Sequence, residues 1–123
     1  MLVDTTFLID LLEEKEDGVF GPAHRWLSRG RPIWTTVISA GEVAVGMIDS
    51  GAARTFLANW RIVRLHPEIA YEAAAIEREL LGTGGRLGEN DNWIAGFARY
   101  YGEPVVSNDV AFDRVSGIRR IPY

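Results

Sequence analysis

Short apolar runs alternate with longer stretches of helical periodicity from one end of the chain to the other, and few architectures accept that order. Met1–Val3 is the first strand candidate, after which Phe7, Leu8, Leu11 and Leu12 recur at helical spacing. Phe20, Ala23, Trp26 and Leu27 predict a second helix closed by Gly30, and Ile33–Thr36 predicts the next strand. Ser39 is placed to cap a third helix whose apolar stripe is Ala40, Val43, Ala44, Met47 and Ile48. Ala53, Phe56, Leu57 and Trp60 predict a short fourth helix before a strand at Ile62–Leu65. Pro67 suits the first position of a long fifth helix, with Ile69, Ala73, Ile76 and Leu80 as its stripe and Gly82 at its end. The glycine-rich run Gly82–Gly88 reads as a loop; Trp93, Ile94, Phe97, Ala98 and Tyr101 mark a sixth helix ended by Gly102. Pro104–Ser107 and Ile118–Ile121 are the last strands. Such alternation predicts an α/β domain, its largely parallel sheet covered by helices on both faces.

A sheet of that kind gathers ligands beyond the carboxyl ends of its strands, so residues just after a strand carry the interest. Asp4 follows the first strand, and Glu42 lies at the start of the helix after the second. Asp91 opens the sixth helix, and Asp109 comes just after Ser107 at the end of the penultimate strand. Each acid has a plainer reading. Asp4 and Asp91 could serve helix N-termini, Ser39-x-x-Glu42 has capping-box spacing, and Asp109 could belong to a turn. Their common location favours a joint role. Carboxylates crowded together repel and raise one another's pKa values, a cost that an oxygen-seeking divalent cation removes.

Composition narrows the chemistry. With no cysteine, the chain has no thiolate metal site, disulfide or Cys nucleophile. No apolar run approaches the roughly 20 residues that span a bilayer, and no basic-then-apolar leader opens the chain, so a cytoplasmic address is expected. The net charge is −4, and Lys15 is the only lysine. A nucleic-acid substrate would therefore need bound metal ions rather than net charge to tolerate its phosphates.

At these residues the chain resembles the PIN-domain family, and within it the short VapC-type toxins of toxin–antitoxin pairs. Val3-Asp4-Thr5-Thr6-Phe7-Leu8-Ile9-Asp10 is similar to the family's opening motif, and Thr36-Val37-Ile38-Ser39-Ala40-Gly41-Glu42-Val43 to its second. Asn90-Asp91-Asn92-Trp93-Ile94-Ala95-Gly96 resembles the third motif and Pro104-Val105-Val106-Ser107-Asn108-Asp109 the fourth. The chain departs from the common pattern at Thr6, Ser107 and Gly96, where asparagine, threonine and alanine are usual, and in placing Asp113 after Phe112. The resemblance implies a single PIN domain over residues 1–123, a three-layer α/β/α fold with a central, mainly parallel five-stranded sheet. It also implies an endoribonuclease that uses Mg2+ or Mn2+, held by Asp4, Glu42, Asp91 and Asp109, as well as an RNA substrate, a homodimer and a cognate antitoxin. Thr5, Thr6 and Ser107 are expected to orient the carboxylates by hydrogen bonds.

Other groups receive plainer roles. Arg86 and Arg99 read as surface arginines, with contact to RNA phosphates as the functional alternative. His24 and His66 read as structural, and the four tryptophans as mostly core. Gly82–Gly88 is no phosphate-binding Walker loop, because no Lys-Ser or Lys-Thr follows it. A response-regulator receiver would need a lysine ending its final strand, and Lys15 lies near the end of the first helix. An Asp-x-Asp phosphatase fails at Asp4-Thr5-Thr6. The remaining alternatives are a PIN fold that binds RNA or a partner without cutting, and a PIN nuclease of RNA processing unconnected to an antitoxin.

Overall fold

The computed structural model describes residues 1–123. β1 (Leu2–Val3) is buried, and Asp4 then turns the chain into α1 (Thr5–Asp17), accepting the Phe7 N–H as its N-cap. α2 (Pro22–Leu27) starts at its proline, two residues past Phe20, which is 63% exposed and stacks on His24 instead of entering the core. β2 (Thr35–Thr36) leads directly into α3 (Val37–Val45), and α4 (Ser50–Phe56) precedes β3 (Ile62–Val63). α5 (Pro67–Leu81) and α6 (Glu89–Tyr101) form the longest pair; β4 (Val105–Val106), a 3-10 turn (Val110–Arg114) and β5 (Arg120–Ile121) complete the chain.

The third helix differs from its expected form. Thr36, not Ser39, is the N-cap, and its hydroxyl accepts the Ser39 N–H at 3.1 Å. Glu42 therefore falls in the second turn, out of reach of a capping box. The helix stops at Val45, so Met47 and Ile48 lie beyond it, and Ile48 is 94% exposed. The fifth helix matches its expected bounds and buries Ile69, Ala73, Ile76 and Leu80. Gly102, at a left-handed φ of 66°, closes α6 where a side chain would be strained.

All strand pairs are parallel. β1, β4 and β5 pair in that order, β2 pairs with β3, and a bridge between Leu2 and Trp34 joins the two groups. Trp34 donates its N–H to the Met1 carbonyl and accepts the Val3 N–H, so the layer runs β3-β2-β1-β4-β5. The strands are short, but their side chains alternate cleanly. Leu2 and Val105 enter one core with Ile69, Ile76, Ile94 and Phe97, whereas Val3 and Val106 enter another with Phe7, Leu8, Trp26 and Val43. One sheet thus separates α5 and α6 from α1, α2 and α3, giving three layers. No helix is long and apolar enough to cross a membrane.

From β1 the chain moves outward to β2 and β3, then returns across the sheet to β4 and β5 on the other side of β1. The reversal opens a crevice between β1 and β4 at their carboxyl ends, where the first residue beyond each strand is Asp4 and Ser107.

Candidate metal centre at the carboxyl edge of the sheet

Asp4 sits in that crevice, 3% exposed. Its Oδ1 accepts the Phe7 N–H at 2.9 Å, and its Oδ2 accepts the hydroxyl of buried Ser107. The same Ser107 Oγ accepts the Asp109 N–H at 2.9 Å, so one hydroxyl ties the acid after β1 to the acid after β4. Capping and site membership are compatible for Asp4: one carboxylate oxygen serves the helix while the other faces Ser107. Asp109 likewise caps the 3-10 turn through the Ala111 N–H and remains exposed.

Glu42 is held from across the sheet edge. Thr5 Oγ1 donates to Glu42 Oε1 at 2.6 Å and lies 3.0 Å from Ser39 Oγ, which is 3.4 Å from Thr36 Oγ1. A hydroxyl carries one hydrogen, so the chain of donors runs Thr36 to Ser39 to Thr5 to Glu42, leaving each hydroxyl satisfied. Thr6, by contrast, is exposed and has no side-chain hydrogen bond. Asp91, in the first turn of α6, shares with Glu42 a recess of 320 Å³ also lined by Gly88, Glu89 and Asn90.

The electrostatics join the four acids. Burial raises the Asp4 pKa to about 6; the Ser107 and Phe7 hydrogen bonds oppose the shift, and repulsion from Asp91 and Asp109 adds to it. Burial also raises the Asp91 pKa, reinforced by repulsion from Asp109 and Glu42. The group is open: no three His, Asp or Glu side chains are drawn together as a ready ion cage. Its donors are carboxylates and hydroxyls with no imidazole among them, a hard oxygen set that fits Mg2+ or Mn2+ and not a soft-metal site. His24 stacks on Phe20, and His66 packs edge-on against Tyr100.

Asp113 stands outside this group, because Arg120 grips both of its carboxylate oxygens at 3.0 and 3.1 Å. Arg120 also donates to the Ser107 carbonyl at 3.1 Å, bracing the turn that presents Ser107 and Asp109. Sequence reasoning missed this arginine, and its place in the last strand of a parallel sheet was the available signal. Arg86 and Arg99 are engaged within the protein: Arg86 bonds Glu77 at 2.6 Å, and Arg99 bonds Glu72 and Glu79. Arg99, with a side chain only 14% exposed, is a link between helices and not the solvated arginine expected. Trp26 and Trp34 are buried, whereas Trp60 and Trp93 are half-buried.

The family model described as PIN domain matches residues 1–118. No curated protein matches the chain by sequence. Among solved structures it is similar to the DNA-bound VapBC of Salmonella typhimurium, with TM-score 0.82, 22% identity, and coverage of 98% of this chain and 96% of that one. It is also similar to VapBC2 of Rickettsia felis bound to a promoter DNA fragment, with TM-score 0.80, 18% identity, and coverage of 99% and 97%. A third likeness is VapBC-1 of nontypeable Haemophilus influenzae, with TM-score 0.79, 19% identity, and coverage of 98% and 96%. At these identities the likeness speaks for the fold.

Proposed function

The chain belongs to the PIN-domain family, and from that premise we propose that it is a divalent-metal-dependent endoribonuclease, the toxin of a VapBC-type pair. The observation that carries this reading is the joint position of Asp4, Glu42, Asp91 and Asp109 at one sheet edge, where burial, reinforced by repulsion among the acids, raises the Asp4 and Asp91 pKa values. Capping accounts for one carboxylate oxygen each of Asp4 and Asp109, but no folding role calls for four acids at one edge, where their repulsion is destabilising without a cation.

Asp4 and Asp91 are the principal holders of the ion, with Glu42 and Asp109 completing the site directly or through water. When bound, Mg2+ or Mn2+ supplies Lewis acidity at a phosphate oxygen and a water acidic enough to attack in line. Ser107 fixes the rotamer of Asp4, and the Thr36–Ser39–Thr5 relay fixes that of Glu42. These side chains hold, orient and accept protons, and none forms a covalent intermediate. The cation also offsets phosphate repulsion by a protein of net charge −4. The reading includes one PIN domain over residues 1–123, a homodimer, a cytoplasmic setting and a cognate antitoxin, the last by analogy with the VapBC complexes.

A panel of structured and single-stranded RNAs tests the reading. Cleavage is expected with Mg2+ or Mn2+ and lost in excess chelator, and lost in Asp91→Asn with the fold retained. Undiminished cleavage in chelator, or full activity of that variant, refutes it.

A further inference from the structure

A cleft of 370 Å³ separates the first half of α6 from the middle of α5, beside the carboxylates. Its origin lies in the packing of the two helices. They run antiparallel and close tightly at Gly96, where a Cβ would come within 2.8 Å of the Ala73 Cβ. Nearer the start of α6, Ala70 and Ala74 of α5 are too small to cover Trp93, which stays half-buried in the cleft wall. Glu89 lines both this cleft and the recess containing Glu42 and Asp91, so the two spaces adjoin.

The polar lining offers a carboxylate acceptor in Glu89. Asn92 is 8% exposed; its Nδ2 donates to the Ala73 carbonyl at 2.8 Å, which fixes the amide's orientation and leaves Oδ1 without a partner. Glu89 is exposed, and Arg86, the cationic donor at the rim, is already held by Glu77.

We infer that this cleft receives one unpaired nucleobase of the RNA strand whose phosphate lies at the carboxylates, stacked on Trp93 and carrying an exocyclic amino group toward the Glu89 carboxylate. The assignment rests on the nuclease reading and adds to it a substrate preference. An indole is a platform on which any base can stack. That carboxylate selects adenine, cytosine or guanine over uracil, whose edge adds carbonyl oxygens where the cleft already presents oxygens. Ala70 and Ala74 keep the platform clear, and the shared Glu89 wall sets the base next to the reacting phosphate.

The test uses the 123-residue chain carrying Asp91→Asn, which binds without cutting, and fluorescein-labelled RNA hexamers of adenosine, cytidine or uridine. Trp93→Ala is expected to weaken binding of the adenosine and cytidine hexamers by about 5- to 150-fold. Trp93→Phe, which keeps a ring, should stay within a few fold of the parent. Ala74→Leu fills the cleft from α5 without removing packing and should weaken binding as Trp93→Ala does. The uridine hexamer should bind more weakly and respond less to either change. Unchanged binding in both Trp93→Ala and Ala74→Leu overturns the cleft's role, as does a preference for uridine. With Asp91 restored, cleavage of RNA by a Trp93→Ala variant at unaltered KM overturns the cleft alone. A parent chain that cleaves no RNA with either ion overturns the nuclease reading and the cleft's role with it.

Discussion

Replacing Asp4 by asparagine should make the metal-free protein more stable at neutral pH, although the residue is buried and hydrogen-bonded. Its pKa rises from 3.8 to about 6, chiefly through burial. The folded state therefore holds its proton more tightly than the unfolded chain, and stability declines as pH rises from about 4 through 6. The ionised carboxylate then costs the fold about 3 kcal/mol above pH 7, at roughly 1.4 kcal/mol per pKa unit. Asparagine removes the charge, keeps an oxygen for the Phe7 N–H and is an equally good N-cap. The Ser107 hydroxyl loses its charged acceptor, which returns about 1 kcal/mol. A net gain of about 2 kcal/mol is expected at pH 7.5, equivalent to several degrees in Tm for a domain of this size. The gain should shrink through pH 6 and vanish or reverse slightly at pH 4. Thermal melts of the parent and Asp4→Asn across that range, in chelator, provide the measurement. A variant that is less stable at pH 7.5, or a difference that does not change with pH, would refute the account of Asp4.

Mn2+ affinity should fall as pH drops through about 6, because the ion competes with the Asp4 proton, and calorimetry in two buffers should show proton release on binding. Thr5→Val should lower cleavage about 10- to 100-fold with a small loss of stability, since the isosteric valine cannot orient Glu42; cleavage at the parent rate would show that the 2.6 Å bond is dispensable. Gly96→Ala should destabilise the protein by about 1–2 kcal/mol in urea, because the clash with Ala73 exceeds the gain in helix propensity; a stabilised variant would show that α5 yields readily.

Local signals made much of this molecule legible. Pro67, the Ile69–Ala73–Ile76–Leu80 stripe and Gly82 define α5 almost to the residue, because each feature acts within a few turns of itself. The positions of Asp4, Asp91 and Asp109 at element ends could also be read from strand and helix order alone, whereas Glu42 falls in the second turn of α3. What escaped depended on partners distant in sequence. The Ser39-x-x-Glu42 spacing imitated a capping box, but Thr36 begins the helix one turn earlier and Thr5, on another element, takes Glu42. Met47 and Ile48 continued a plausible stripe, yet the helix ends before them and leaves Ile48 in solvent. Arg120 and Asp113 pair across seven residues, and Arg120 reaches Ser107 across thirteen, in a geometry only β5 creates. Arg99 looks like an ordinary surface arginine in one dimension, while in three it lies between acids of a neighbouring helix.

The bond from Ser107 to Asp4 spans 103 positions of the chain. During synthesis, Asp4 emerges 103 positions ahead of Ser107 and has no hydroxyl partner until β4 has been made. Leu2 and Val3 lack their Val105 and Val106 neighbours for the same interval. A growing polypeptide therefore carries Asp4, Glu42 and Asp91 without the frame that aligns them, and a prematurely terminated fragment ending before β4 does so permanently. The carboxylate group cannot align before β4 and Ser107 exist, so a ribosome making this protein does not present the finished pocket to nearby RNA until that strand has been synthesised.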